Sequence, residues 1–126
     1  MTRSLDELKR AVDRHGEALD EPETNPLAID GTIQRFEFTI ELFWKAMKRL
    51  LARDGIETAT PREALRRAYQ AGWIDDEEAW LAMIHDRSQT SHAYKEALAR
   101  GIYADVRRTF PEMRRALETL IRLAAR

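Results

Sequence analysis

The segment from Arg87 to Tyr94 combines a guanidinium, an imidazole and a phenol within a short stretch of chain. Arg87 can bind a phosphate through two parallel hydrogen bonds, and His92 can exchange a proton near neutral pH. Two such groups that converge in a groove suit phosphodiester cleavage, because one binds the phosphate while the other moves a proton. On a straight helix, however, five positions differ by about 140°, so Arg87 and His92 would not share a face. The pair therefore needs a turn between its members, and the spacing alone is a weak signal.

The residues between them predict such a turn. Ser88-Gln89-Thr90-Ser91 is polar and poor in helix propensity, and its hydroxyls compete for backbone hydrogen bonds. We therefore expect a fourth helix to end near Arg87 and a fifth to begin around residues 92 to 95.

The other two histidines carry less weight. His15 lies beside the apolar stripe of the first helix and is expected at the surface or its boundary. His85 and His92 would stand two turns apart on a continuous helix, too far for one metal ion. The chain has no cysteine and its glycines are isolated, which removes zinc-thiolate sites, disulfides and glycine-rich phosphate loops. Neither a metal nor a cofactor is expected.

Glu37 and Glu41 flank the edge of a predicted core stripe near Trp44. A carboxylate there loses hydration unless it is paired. One interpretation is an ordinary ion pair with an Arg or Lys of a neighbouring helix. The other is that Glu37 or Glu41 orients His92 or Arg87. Tyr94 likewise has two interpretations, as an amphipathic core residue or as a phenol that reaches solvent.

The elements that must position these residues are all predicted to be helical. Ala, Leu, Glu, Arg and Lys dominate, and the scarce Gly and Pro residues fall where helices should end. The fold predicted is an all-α, up-and-down antiparallel bundle of four to five main helices, in one domain spanning residues 1–126. The predicted helices run from a capping box at Ser4 to about Asp20, from about Pro26 to Asp54, from Thr60 to Gly72, from the acidic run 75–78 to about Arg87, and from 92–95 onward, with a sixth helix or a kinked continuation after Pro111.

The second helix has two apolar faces. One carries a core stripe that includes Phe36, Ile40 and Phe43, whereas Phe38 and Leu42 point to the other side. A second apolar face needs a second partner, which is either another helix of the bundle or a second copy of the chain. A homodimer is one expectation.

The charge is nearly balanced, with a net charge of −1 although 34% of residues are charged. Residues 100–126 are basic and could face phosphate, or they could form a solvated helix face. No apolar run has the length of a membrane span, and the N-terminus lacks the apolar stretch of a signal peptide. A cytoplasmic protein without membrane contact is expected.

Two stretches resemble a known family. The run Arg87-Ser88-Gln89-Thr90-Ser91-His92-Ala93-Tyr94 resembles the R-x4-H-x-Y signature of HEPN toxins that are paired with minimal nucleotidyltransferase antitoxins. Residues 34–45 are similar to the long second helix of the same proteins, which are also described as nucleotidyltransferase substrate-binding proteins. The similarity extends from about Leu5 to Leu123.

The resemblance implies a HEPN-like bundle that dimerises and cleaves RNA without metal in a cleft between protomers. Arg87 would then stabilise charge on the phosphoryl oxygens and His92 would act as general acid or base. Ser88 stands where active members often carry Asn, Asp or His. Tyr94 matches a tyrosine that the nucleotidyltransferase, encoded nearby, modifies with AMP to silence the toxin.

Two rival functions stay open. The first is a non-catalytic subunit that presents nucleotide or substrate to a nucleotidyltransferase. The second is a helix-turn-helix protein built on residues 60–84, which is weak because the acidic run 75–78 would repel phosphate.

Overall fold

The computed structural model describes residues 2–22 and 24–126, with side chains from Leu5 onward. Within these residues it consists of five α-helices and one 3-10 turn, with no strand. The all-α bundle predicted from the sequence is confirmed. The elements are α1 (Thr2–Leu19), α2 (Pro26–Arg53), α3 (Pro61–Gln70), α4 (Glu77–Gln89), the 3-10 turn Thr90–His92 and α5 (Glu96–Ala124).

Helix α2 lies at the centre of the bundle and packs against each of the other four helices. Its core stripe is buried as predicted, with Phe36, Ile40 and Phe43 fully enclosed. Each such side chain contributes about 1.5–3 kcal/mol through removal of apolar surface from water. Phe43 also meets Trp80 of α4 edge to face, with ring centroids 5.0 Å apart. The helix that carries Glu37 and Glu41 is therefore fixed against the helix that carries Arg87.

The helix ends follow their local signals. The Thr60 hydroxyl accepts a hydrogen bond from the Glu63 backbone N–H at 3.2 Å and so caps α3. Gly55 and Gly72 follow α2 and α3 with φ of +85° and +78°, a region that glycine enters without a steric penalty. The predicted caps and stops of α2 and α3 are thus confirmed.

The predicted start of the first helix was wrong, and the structure decides between the two alternatives at Pro111. Helix α1 begins at Thr2, so Ser4 lies inside the helix rather than at its cap, and the Ser4 side chain is outside the described part. Helix α5 runs unbroken from Glu96 to Ala124 with Pro111 inside it, so of the two alternatives after Pro111 the continuation holds and no sixth helix begins there. Val106 before the proline and Met113 after it are both buried in the same core. Packing on both sides outweighs the hydrogen bond that Pro111 cannot donate.

His15 is also placed differently from the prediction. It is fully buried between α1, α2 and α5 instead of lying at the boundary. Its ring meets Phe110 edge to face at 5.1 Å and Phe36 at 6.2 Å between centroids. Both ring nitrogens are enclosed without a hydrogen-bond partner among the described residues. Burial lowers the pKa of His15 to about 4, because the charged imidazole would lose its hydration.

Candidate functional site

Arg87 occupies the last turn of α4, where two contacts hold its guanidinium. Its Nε lies 3.4 Å from Glu41 Oε1 of α2. The Nε hydrogen has no aligned acceptor, so this contact is electrostatic rather than a hydrogen bond. Nη1 donates a hydrogen bond to Thr90 Oγ1 at 3.2 Å. Both members of the ion pair are partly exposed, so its contribution is to orientation more than to stability.

Glu41 is itself anchored. Its second carboxylate oxygen accepts a hydrogen bond from the Trp44 indole at 3.1 Å. Glu41 was expected either to pair with a basic residue of a neighbouring helix or to orient Arg87 or His92. Both descriptions apply to the observed contact, because the basic residue with which Glu41 pairs is Arg87. Glu37 lies one turn earlier on α2 and is half-buried.

The turn between Arg87 and His92 is built around Thr90. The buried Thr90 hydroxyl donates to the Arg87 carbonyl at 2.9 Å while it accepts from the guanidinium. The Ser88 hydroxyl donates to the His85 carbonyl within α4 and accepts a hydrogen bond from the Gln89 side-chain amide at 3.4 Å. The chain then passes through the 3-10 turn, whose last residue is His92. The predicted turn is present.

His92 lies before α5 rather than within its first turn, because α5 begins only at Glu96. This start is one to four residues later than the sequence predicted. The Lys95 N–H bonds the His92 carbonyl at 3.1 Å, which extends the turn beyond the 3-10 segment. The His92 side chain is exposed.

Tyr94 is 78% exposed, so the interpretation of it as a core residue was wrong. The centroid of the Tyr94 ring lies 6.4 Å from the centroid of the His92 ring, and the Lys95 ammonium lies 6.0 Å from the Tyr94 centroid. The phenol is thus accessible beside the imidazole.

Several surface cavities flank these residues along α2, and two of them bear on the site. The first, here called the α2 groove, has a volume of about 610 Å³ and is lined by Leu27, Asp30, Gly31, Ile33, Gln34, Glu37, Thr90, Ala93 and Tyr94. The second, here called the Arg87 cleft, has a volume of about 460 Å³ and is lined by Ala11, Glu37, Phe38, Glu41, Leu42 and Arg87. Glu37 lines both cavities, so they adjoin at this residue.

The sequence analysis missed a pair of carboxyl groups behind the site. Asp86 precedes Arg87 and is buried against Asp105 of α5. Burial, together with the charge and hydrogen bond of Asp105, raises the pKa of Asp86 to about 7, although Arg108 opposes the shift. A signal was present, since Ala79, Met83, Asp86 and Thr90 follow helical spacing and are all buried.

The basic end of the chain is engaged within the bundle. Arg107 donates hydrogen bonds to the Leu19 carbonyl at 2.8 Å and to the Tyr103 hydroxyl at 2.7 Å. Arg114 pairs with Asp13 at 2.9 Å. These contacts favour the interpretation of α5 as a helix face over that of a phosphate-binding surface. None of the described helices is long and apolar enough to cross a membrane.

Comparison with known proteins identifies relatives of the same fold. A probable ribonuclease HepT of Haemophilus influenzae is 40% identical over 83 residues, which cover 62% of this chain and 57% of the relative. The match thus spans little more than half the length of that relative. A crystal structure of a protein from Thermus thermophilus has a TM-score of 0.84 at 34% identity and covers 90% of this chain and 98% of its own.

A Haemophilus influenzae structure, described as revealing the fold of a substrate binding domain of a nucleotidyltransferase, has a TM-score of 0.82 at 32% identity. It covers 92% of this chain and 98% of its own. Residues 1–122 match the family described as "Nucleotidyltransferase substrate binding protein like". The resemblance noted in the sequence is therefore confirmed, and the chain belongs to this family of nucleotidyltransferase substrate-binding-like, HEPN-type proteins.

Proposed function

We propose that this chain is a HEPN-type toxin subunit that cleaves RNA with Arg87 and His92. One observation carries the proposal: a guanidinium fixed by Glu41 and Thr90 is followed, one 3-10 turn later, by an exposed imidazole beside a groove. The relative described as a probable ribonuclease supports the same reaction.

The chemistry would be transfer of the phosphoryl group to the neighbouring ribose hydroxyl. The 2′-oxygen forms a bond to phosphorus, the bond from phosphorus to the 5′-oxygen breaks, and one proton leaves the 2′-hydroxyl while another reaches the leaving oxygen. His92 acts as base or acid in one of these transfers. Arg87 has five N–H donors. Its hydrogen bond to Thr90 occupies one of them and its Nε–H is buried beside Glu41, which leaves the others for the phosphoryl oxygens.

Two further parts belong to the proposal. A second copy of the chain would cover the apolar side of the Arg87 cleft, where Phe38 is 51% exposed. A minimal nucleotidyltransferase encoded nearby would attach AMP to Tyr94, whose exposed phenol lies beside His92. The attached phosphodiester would place negative charge near Arg87 and compete with the substrate phosphate. The site of action would be the cytoplasm.

The direct test is cleavage of a defined RNA by the purified protein, with and without EDTA. His92→Ala should lower the rate on the order of 10²- to 10⁴-fold if His92 carries the proton. Arg87→Lys should also lose most activity, because an ammonium cannot reproduce the planar fork of donors. His85→Ala is the matched control, since His85 is another exposed histidine of the same segment. Equal rates for His92→Ala, His85→Ala and the parent would refute the assignment.

A second candidate is a non-catalytic subunit that presents nucleotide or substrate to a nucleotidyltransferase. The family description and the solved Haemophilus influenzae structure favour it, as does the bond of Ser88 to the His85 carbonyl, which engages the hydroxyl that follows Arg87 in the chain. This candidate predicts a tight complex with the transferase, and RNA that stays intact at every protein concentration tested.

A further inference from the structure

The α2 groove has a chemical character different from that of the Arg87 cleft. Its volume of about 610 Å³ falls in the range of small-molecule sites, about 300–1,000 Å³. The groups that line it include the carboxylates of Asp30 and Glu37, the amide of Gln34 and the Tyr94 phenol, and no lining residue is basic. Two carboxylates repel a phosphate. The groove therefore suits a neutral group that is rich in hydrogen-bond donors.

These polar groups are available to a ligand. The side chains of Asp30, Gln34 and Glu37 make no hydrogen bond or ion pair with another of the described residues. Gly31 lies among them on α2, and a Cβ added there would meet nothing within 4 Å. The helix backbone is thus open to the groove at Gly31.

A nucleoside fits both the lining and the neighbourhood. Carboxylates accept hydrogen bonds from exocyclic amino groups of bases and from ribose hydroxyls, and the exposed ring of Tyr94 offers a surface for stacking. Because Glu37 lines both cavities, a nucleotide with its phosphate at Arg87 has the α2 groove beside it.

We propose that the α2 groove is a subsite for one unpaired nucleoside whose base carries an amino group. The position of this nucleoside rests on the proposed function: it is the nucleoside next to the phosphate that is cleaved in RNA. Adenine, cytosine and guanine each present an amino group to Asp30 or Glu37, whereas uracil does not. RNA with uridine at this position is the poor substrate.

A pair of glycine variants tests the site without disturbing the fold. Gly31→Leu places a side chain in the groove, whereas Gly101→Leu adds the same side chain at a helical position of α5 that lines neither cavity and is equally open. Leucine favours helix over glycine, so both variants should melt at or above the temperature of the parent. Gly31→Leu should weaken RNA cleavage and binding about ten-fold, the order that one base subsite contributes, and Gly101→Leu should match the parent.

Base selection is measured on oligonucleotides that differ only in the nucleotide beside a single cleavable phosphate. The parent should prefer amino-bearing bases over uridine by about ten-fold. Glu37→Gln and Asp30→Asn keep the shape of each side chain but add an N–H donor, which can pair with the uracil carbonyls. In at least one of them the preference should shrink to about three-fold or less.

The failure of this inference can be told apart from failure of the proposed function. Binding of a cleavage-resistant 2′-O-methyl oligonucleotide by fluorescence anisotropy reports on the groove even if no RNA is cut. Equal affinity and equal base preference for Gly31→Leu, Gly101→Leu and the parent would overturn the groove assignment and leave the Arg87 and His92 chemistry standing. Titration with AMP distinguishes the source of the nucleoside: binding of AMP but not of the oligonucleotide, lost in Gly31→Leu, would overturn the assignment to RNA.

Discussion

The buried His15 allows a quantitative test of the fold, in the variant His15→Leu. At neutral pH the imidazole is uncharged in both the folded and the unfolded chain, so the variant gains only by removing two buried nitrogens that lack partners. That gain is about 1–3 kcal/mol, reduced by about 0.5–1.5 kcal/mol for the lost ring contacts with Phe36 and Phe110. A net gain of about 1 kcal/mol in the free energy of unfolding is expected.

The pH dependence is the sharper part of this prediction. The pKa of His15 falls from 6.5 to about 4 on folding, so below 6.5 the unfolded chain takes up a proton that the folded chain refuses. The contribution of neutral His15 to the free energy of unfolding is therefore fully present above pH 6.5 and is lost as the pH falls toward 4. Near pH 5 the loss is about 2 kcal/mol, at about 1.36 kcal/mol for each pKa unit crossed. Leucine does not titrate, so the advantage of the variant should grow to about 3 kcal/mol.

The assay is urea unfolding of parent and variant at several values between about pH 5 and pH 8, followed by circular dichroism. Asp86 titrates in the same window with the opposite sign, but it is common to both proteins and cancels in their difference. His85→Leu, at an exposed histidine, is the control and should stay within about 0.5 kcal/mol of the parent. A difference between His15→Leu and the parent that does not change with pH would refute the reasoning.

The remaining predictions concern the site and its surroundings. Asp86→Asn should raise the free energy of unfolding near pH 8 by about 1 kcal/mol or more and have little effect near pH 4. The reason is the raised pKa of Asp86, because of which the parent loses stability as the pH rises from 3.8 to about 7. Urea unfolding measures the difference, and equal stability of variant and parent near pH 8 would contradict the prediction. Phe38→Asp should weaken the proposed dimer at least about ten-fold, as shown by light scattering, and a parent that is monomeric at micromolar concentration would contradict the composite cleft. Tyr94→Phe should fold and keep any ribonuclease activity. After co-expression with the neighbouring nucleotidyltransferase, intact-mass spectrometry should show no added AMP on the variant. An equal mass gain on variant and parent would mean that another residue is the acceptor.

The sequence was sufficient for the parts of the fold that local chemistry decides. Glycine and proline marked both ends of α2 and α3, and Phe36, Ile40 and Phe43 revealed the buried face of α2. The polar run after Arg87 predicted the turn that separates Arg87 from His92. Each of these features depends on residues close together in the chain.

His15 and Pro111 each show a conflict between residue type and helical position. His15 has the type of a boundary residue but continues the spacing of Leu8, Val12 and Leu19, and the position decided its burial. Pro111 has the type that breaks a helix, but packing on either side of it kept α5 intact. In both cases tertiary packing outweighed the local preference.

The contact of Glu41 with Arg87 could not be derived from the sequence, because it depends on how α2 and α4 are rotated about their axes. The sequence could narrow the partners of Glu41 only to an Arg or Lys of another helix. Long-range ion pairs at the edge of a core are set by the packing of the core itself, here by Phe43 against Trp80.

The ion pair of Arg87 bears on how an RNA would be recognised. With a net charge of −1 and α5 arginines such as Arg107 and Arg114 engaged within the bundle, the chain has no strong positive field to attract a phosphate backbone. Glu41 further offsets the charge of Arg87, but it also holds the guanidinium in place, so little ordering would be needed in the proposed reaction. Such a site contacts few phosphates, and the affinity for RNA should therefore fall only shallowly with salt, far less than for proteins that follow a backbone with many basic side chains. Under the proposed function, selection among RNAs would then come from the shape and hydrogen-bonding groups beside the phosphate, which are those of the α2 groove.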